Sequence, residues 1–319
     1  MMGGVRLLLI AVGLAGLAAL PAFAPSHIVY LAAVIGSTSI MVAGLSVVIG
    51  QAGQISLAQA SFAALGAYGT AQLANMTGLP HWIGLPAISL ASATLGYLFG
   101  LLSLRVADHY LALATMALCA IVQLLLVHLE DWTGGAVGLA VPPLEIGGRT
   151  LTRPTELYAI ITPLALATAW FLHALRRSRT GRAFAALRMS EVGAAAVGIP
   201  VLHYKALAFA ISAFFGALGG GLFALQTTYL EPAQFGILES VRLIAIAVIG
   251  GLLNPLGPAI GAAIFVLLPE TMGALGRWMG LVFSLLLLVF LIAAPGGLAG
   301  LAGRIFQRAA RRPLRDPSA

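Results

Sequence analysis

The sequence has 319 residues, of which 60% are apolar and only 8% are charged. So few charges cannot cover a water-soluble surface, which excludes a soluble globular protein. Apolar runs of roughly 20 residues, the length that spans a bilayer, recur to about residue 294. We therefore predict an all-α, polytopic integral membrane helix bundle. Residues 1–300 form a single predicted transmembrane domain, and residues 301–319 form a basic tail.

The chain carries a net charge of +7. Its basic residues lie between and after the apolar runs rather than along one solvated face, so they do not indicate nucleic-acid binding. We attribute them to membrane orientation and to contact with lipid headgroups. Cys119 is the only cysteine and lies within an apolar run, so no disulfide is predicted. The histidines show no metal-ligand spacing, and no cofactor is predicted to bind this chain.

About ten transmembrane helices, within a range of eight to ten, are predicted from the apolar runs and the breakers between them. The first run resembles a secretory signal, but because many runs follow it we interpret it as an uncleaved helix. In chain order the predicted spans are 5–24, 28–49, 60–78, 82–104, 110–129, 156–175, 205–225, 238–253, 257–273 and 279–294.

Charge predicts which loops face the cytoplasm, because short loops rich in lysine and arginine stay on that side. Loop 176–204 is rich in arginine, and Glu191 is its single acidic residue. The tail over 301–319 is also basic, whereas loop 130–156 holds more acidic than basic residues. We predict that loop 176–204 and both termini are cytoplasmic, and that loop 130–156 lies outside.

Two segments, 50–59 and 250–258, interrupt the apolar pattern with glycine, proline and polar residues. In hydrocarbon each unsatisfied polar group costs several kcal/mol, so the first segment requires surrounding protein or a water-filled cavity. The second segment is open to two interpretations. It is either a second interrupted helix, paired with the first beside the substrate route, or an ordinary tight turn between spans. The predicted substrate-pathway residues are Gln51, Gln54, Ser56 and Gln59.

Ionisable residues within the spans are scarce. Glu239 with Arg242, and Glu270, are predicted at the outer ends of spans as interfacial residues rather than as a proton relay. Glycines at four-residue spacing are predicted to permit close helix packing. These glycines are Gly216 with Gly220, and Gly257 with Gly261.

The chain offers no energy source of its own. Lys205 is the only lysine, and the glycine-rich phosphate loop that must precede such a lysine is missing. Neither a nucleophile beside a base nor a dinucleotide fingerprint is recognisable. We therefore predict a transporter subunit without an ATPase motif, rather than an enzyme, which receives its energy through a partner.

Loop 176–204 is the predicted contact with that partner. Ser190 is predicted to cap a short alanine-rich helix, with Glu191 in its first turn and Gly198 at its end. Such a helix outside the membrane suits a groove on a second protein, although a merely basic connector remains the alternative. The predicted coupling residues are Gly181, Arg182, Arg188, Glu191 and Gly198.

Several motifs, in order, resemble the branched-chain amino acid ABC transporter permeases of the LivM type. Residues 179–199 read Arg-x-Gly-Arg-Ala, then Arg-x-x-Glu and Gly-Ile, and are similar to that family's coupling loop. Further similarities lie at 50–57, 107–112, 132–139 and 248–270. The chain departs from the family pattern at Ala58-Gln59 and at 188–191.

The resemblance implies a transmembrane permease in the cell inner membrane that imports branched-chain or related amino acids. It implies four kinds of partner: a second permease chain (LivH-like), ABC ATPase subunits that use ATP, an extracytoplasmic substrate-binding protein, and membrane lipid. Related permeases handle urea and short amides. An ion-coupled secondary transporter or a channel for such a small polar solute is the alternative.

Overall fold

The computed structural model describes residues 16–17, 19–103, 108–146, 149–271 and 285. These residues are largely helical, and the predicted all-α membrane bundle is confirmed. The longer helices are α1 Ser26–Leu45, α2 Gln59–Thr77, α3 His81–Ser103, α4 Asp108–His128, α6 Pro154–Arg177, α9 Val201–Thr227, α10 Ile237–Gly250 and α11 Gly257–Thr271. The shorter ones are α5 Glu130–Thr133, α7 Arg179–Met189 and α8 Glu191–Ala196, with a π-helical turn at Ser46–Gln51 and a 3-10 turn at Pro232–Phe235.

Five of the described helices are long and apolar enough to cross a membrane. They are Ser26–Gln51, His81–Leu102, Tyr110–His128, Pro154–Arg177 and Val201–Thr227. Each corresponds to one predicted span, which makes the chain a multi-pass membrane protein. The predicted spans 5–24 and 279–294 lie largely outside the described residues, as does the tail at 301–319, so the total of ten spans stays a prediction.

Helix α9 lies at the centre of the bundle and packs against α1, α2 and α3. The close approach depends on its small residues, because a Cβ atom on Gly220 would collide with the backbone of Ala63 on α2. A Cβ atom on Gly261 of α11 would likewise meet the backbone of Ile246 on α10. The predicted role of these glycines in close helix packing is therefore confirmed.

Two small antiparallel sheets lie beside the helix ends that the charge pattern places outside. β1 (Leu139–Ala140) pairs with β4 (Tyr229–Leu230), and β2 (Leu144–Ile146) pairs with β3 (Arg149–Leu151). The side chain of Asn75, near the end of α2, donates to the carbonyl of Ala140 at 3.4 Å. The charge pattern predicts loop 130–156 on the outer side, and the structure groups the strands of this loop with β4 and the end of α2. Which side of the bundle faces the cytoplasm stays a prediction.

Candidate functional site: an interrupted helix beside a projecting loop

The first interrupted segment loses its helical structure after the π-helical turn that ends at Gln51. After the π-helical turn, residues 53–58 are non-helical until α2 begins. Two backbone N–H groups donate to hydroxyl oxygens of neighbouring helices: Leu57 to Thr115 on α4 at 3.0 Å, and Ala60 to Ser240 on α10 at 3.1 Å. Gln54, Ser56 and Ala58 are buried, whereas Gly53 and Ile55 are exposed, so protein encloses the segment in part and supplies partners that lipid lacks.

Gln59 joins three helices. Its Nε2 donates to the carbonyl oxygens of Met41 on α1 (2.7 Å) and Ser212 on α9 (3.3 Å), while its Oε1 accepts from Ser212 Oγ at 2.7 Å. The side chain is fully buried. Because both ends of the amide are satisfied, Gln59 stabilises the crossing of α1, α2 and α9.

The other three predicted pathway residues are also buried, but they are bonded differently. Ser56 Oγ accepts from the backbone N–H of Ala58 at 3.4 Å. Within the described residues, both amide atoms of Gln54 and the Oε1 of Gln51 have no hydrogen-bond partner. Buried polar groups are normally satisfied, so unpaired amides here suit water or a polar solute. A pathway role for these residues stays a prediction.

The two interrupted segments meet the projecting loop at one place. Arg188, on α7, donates from Nη1 to the carbonyl oxygen of Gly50 at 2.8 Å. A Cβ atom on Gly50 would collide with the carbonyl oxygen of Leu252, which lies between α10 and α11. We call this contact of Gly50, Arg188 and Leu252 the junction.

The second interrupted segment is a tight turn. The backbone N–H of Asn254 donates to Gly251 at 3.1 Å, and that of Gly257 donates to Asn254 at 2.9 Å. The side chain of Asn254 also accepts from the N–H of Leu256 at 3.0 Å. Of the two interpretations left open by the sequence, the structure therefore favours the turn.

The short helix predicted in loop 176–204 is confirmed as α8. Ser190 Oγ caps it by accepting from the N–H of Gly193 at 3.0 Å, and Gly198 follows its end with φ of +81°. Glu191 forms an ion pair with Lys205, which is buried at the start of α9. This ion pair fixes α8 against the end of the bundle.

The two remaining predicted coupling residues lie on α7. Gly181 is buried and donates its N–H to Ser178 Oγ, which caps this helix, at 3.1 Å. Arg182 is exposed, and its Nη1 donates to the carbonyl oxygen of Arg177 at 3.2 Å. The five residues therefore do not form one cluster: Arg188 and Glu191 contact the bundle, Gly181 shapes the corner between α6 and α7, and Arg182 faces outward.

The apolar face that holds the loop in place was not predicted from the sequence. Phe184 and Leu187 of α7 are buried, and the Phe184 ring packs edge-on against Tyr204 at 6.1 Å between centroids. Their spacing of three residues in an otherwise polar helix is the signal that indicates a buried face. The ion pair of Lys205 with Glu191 was likewise not predicted.

Glu239 and Arg242 lie in the first two turns of α10, which begins at Ile237. Pro232 and Phe235 are buried, and the Phe235 carbonyl lies 3.9 Å from the Sγ atom of Cys119 in the middle of α4. The chain has therefore re-entered the bundle before α10 begins. The pair forms an ion pair at this helix end and lines a cavity of about 200 Å³. The side of the membrane that this end faces stays a prediction.

Comparison with known proteins agrees with these features. Residues 27–295 match the family described as the permease component of branched-chain amino acid transport systems. The chain belongs to this family. Membership agrees with the prediction of a transporter subunit rather than an enzyme.

Individual relatives extend the comparison. The high-affinity branched-chain amino acid transport system permease protein LivM is 31% identical in Salmonella typhimurium and 30% identical in Escherichia coli K12. Each alignment covers 80% of this chain and 66% of the relative, so the chain spans slightly under two thirds of the relatives' length. A ribose import permease, RbsC of Haemophilus influenzae, is 26% identical over 67% of this chain and 60% of its own length. No solved structure matches the chain.

Proposed function

We propose that this chain is a membrane-spanning subunit of an ABC importer that moves branched-chain or related amino acids into the cytoplasm. Separate ATPase subunits bind and hydrolyse the ATP. The observation that carries the proposal is the bond from Arg188 to the Gly50 carbonyl, because it connects a projecting helix to an interrupted one. The family membership and the two LivM relatives support the transport role and the substrate class.

The projecting surface has the composition of a docking site. Met189, Val192 and Val197 expose 87%, 82% and 75% of their surfaces around α8. Ala194 on the same helix is buried, and Glu191 is held by Lys205, so one side of α8 is fixed to the bundle. Exposed apolar side chains clustered on a small helix suit a groove on a partner protein. We assign that partner as the ATPase subunit.

Movement of the docked helix would reach the interrupted segment through the junction. The guanidinium of Arg188 is bonded to the backbone of the π-helical turn, so a shift of α7 pulls directly on the chain that leads to Gln54 and Gln59. Packed helices shift as units rather than deform continuously, which favours such a two-state response.

The remaining assembly follows from the same proposal. A second, LivH-like permease chain completes the membrane unit, and an extracytoplasmic binding protein delivers the substrate. The chain lies in the cell inner membrane with loop 176–204 and both termini in the cytoplasm, since that orientation satisfies the distribution of arginine. ATP binds the ATPase subunits, and no cofactor is assigned to this chain.

One observation favours the alternative of an ion-coupled carrier. The carboxylate of Glu239 lies inside the bundle, where a coupling group is expected. Arg242 forms an ion pair with this carboxylate, and the family to which the chain belongs supports the importer. We therefore rank the ATP-driven importer first.

The test compares Arg188→Gln with the unaltered chain in proteoliposomes that hold the complete complex. Losing a charged hydrogen bond costs about 1.5–3 kcal/mol, so leucine uptake should fall about tenfold or more while ATPase subunits remain bound. Arg149→Gln is the matched control, because Arg149 pairs with Glu156 at the opposite end of the bundle. Uptake that follows an ion gradient and ignores ATP would favour the carrier instead.

A further inference from the structure

The cavity beside α10 combines charged, polar and apolar walls. It lies among α1, α2, α9, α10 and α11, with the 3-10 turn at one side, and has a volume of about 200 Å³. Its polar walls include Thr38, Gln234, Glu239 and Arg242. Drug-sized ligands occupy pockets of roughly 300–1,000 Å³, so this smaller cavity suits a metabolite of few atoms.

The two charges in the cavity are held side by side and remain accessible. Glu239 Oε2 lies 3.4 Å from Arg242 Nη1, longer than an ordinary N–H···O hydrogen bond. Their side chains are 30% and 51% exposed. A guanidinium has five N–H donors, of which this contact engages one. The pair thus retains capacity to bind a further group.

Two neighbours fix the geometry of the charged pair. The Arg242 guanidinium lies over the ring of Phe265 on α11, 4.3 Å from its centroid. Such cation–π contact stabilises the guanidinium in one position. Gln234 Oε1 is buried and has no hydrogen-bond partner within the described residues. An unsatisfied acceptor therefore lines the same cavity as the carboxylate of Glu239.

The cavity lies deep in the bundle. Its lining residues Thr38 and Met41 are 12 and 15 residues beyond Ser26, the first residue of α1. At about 1.5 Å per residue these positions lie about 18 and 22 Å along that helix. Thr38 and Met41 are therefore near the middle of the apolar span Ser26–Gln51, and ionisable residues beside the middle of a span mark substrate routes.

We propose that this cavity binds the transported α-amino acid as a zwitterion. The substrate carboxylate binds Arg242, and its ammonium group binds Glu239 together with the free Oε1 of Gln234. The aliphatic side chain packs against Leu243 and Ile246, which are buried on the next turns of α10. This inference rests on the proposed function and specifies the substrate class that the site selects.

The charge balance supports a zwitterion over a neutral solute. An amino acid adds one positive and one negative group, so each charge of the pair gains a partner and the net charge of the cavity is unchanged. A neutral sugar offers hydroxyl groups only and leaves the two charges paired with each other at their long separation. The cavity therefore distinguishes amino acids from the sugar carried by the ribose permease relative.

The experiment uses the complete complex in proteoliposomes with ATP inside, and measures initial uptake of radiolabelled leucine. Arg242→Gln and Glu239→Gln should each lower uptake about tenfold or more, because each leaves one charge of the substrate without its partner. Arg242→Lys keeps the positive charge and should restore part of the loss. The control is Arg149→Gln, which removes an Arg–Glu pair outside the cavity and should leave uptake unchanged.

Each result supports or overturns the inference. Retention of all subunits after purification, together with reduced uptake in both cavity variants, supports it. Unchanged uptake in both overturns it and leaves the importer intact, whereas dissociation of the second permease would identify an interface ion pair instead. No ATP-dependent leucine uptake by the unaltered complex would overturn the proposed function and, with it, this inference.

Discussion

The two interrupted segments both contain glycines among helix-interrupting residues, but they occupy different environments. Segment 50–59 contains two glycines and three glutamines, and segment 250–258 contains three glycines and two prolines. The first continues as non-helical backbone over residues 53–58, where the Thr115 hydroxyl on α4 accepts the N–H of Leu57. The second closes within a few residues through hydrogen bonds around Asn254. Helix-breaking composition therefore predicts an interruption, while the partners available decide its form.

The comparison also separates residues that hold the fold from residues that are available for function. In the first segment Gln59 is fully bonded, whereas Gln54 is equally enclosed but unbonded. In the second segment the polar side chain of Asn254 bonds its own turn. The following predictions test whether these differences have the expected consequences.

The largest effect is expected where the two segments touch. Gly50→Ala should lower the free energy of unfolding by about 3 kcal/mol, because the new methyl group has no space beside the Leu252 carbonyl oxygen. Gly84→Ala is the matched control within α3. Its Cβ atom would lie 3.4 Å from Leu73, an ordinary contact, and alanine favours a helix. Thermal unfolding of the purified protein in detergent measures both, and equal stability of the two variants would contradict the close contact.

A smaller loss is expected when the bonded glutamine is replaced. Gln59→Leu leaves the hydroxyl of Ser212 and the carbonyl of Met41 without their partner, which should cost about 2 kcal/mol. Gln54→Leu is the matched control, because it makes the same replacement of glutamine by leucine within the same segment. It should leave stability unchanged or raise it, since it removes an amide that has no partner.

The same pair of variants separates structure from transport. If Gln54 lines the substrate pathway as proposed, Gln54→Leu lowers leucine uptake without lowering the unfolding temperature. Equal destabilisation by both variants would show that Gln54 has a bonding role like that of Gln59. Normal uptake by a stable Gln54→Leu variant would remove Gln54 from the pathway.

The smallest effect is expected in the second segment. Asn254→Ala removes the side-chain acceptor for the Leu256 N–H and should cost about 1 kcal/mol. Asn254→Asp keeps that acceptor and should retain most of the stability. The melting temperatures of the two variants in one detergent provide the measurement. A loss as large as that of Gly50→Ala would mean that this turn does more than connect two helices.

Much of the loop at 176–204 could be predicted because its signals are local. Ser190, Glu191 and Gly198 have the spacing of a capped short helix, and α8 forms there. The contact from Arg188 to Gly50 could not be predicted in the same way, since it joins residues 138 positions apart. The exposure of Val192 and Val197 likewise depends on which face α7 and α9 cover.

Glu239 and Arg242 illustrate the opposite case. An ionisable pair near the start of an apolar run is typical of a helix end, and the pair does lie near the start of α10. The sequence did not indicate the cavity that the pair lines. The outcome depended on Pro232 and Phe235, which enter the bundle before α10 begins. Hydropathy measures the preference of a segment for lipid, but it does not record how deep the preceding residues are buried.

The sequence by itself determined the membrane bundle, the principal spans, the closely packed glycines and the capped helix of the projecting loop. These features follow from the length and hydropathy of each apolar run, from the spacing of small residues and from contacts within a few residues. Only the tertiary structure decided that Gln59 is bonded while Gln54 is not, and that Glu239 and Arg242 line a cavity. In a membrane interior each polar group depends on partners from distant helices, and those partners are set by packing.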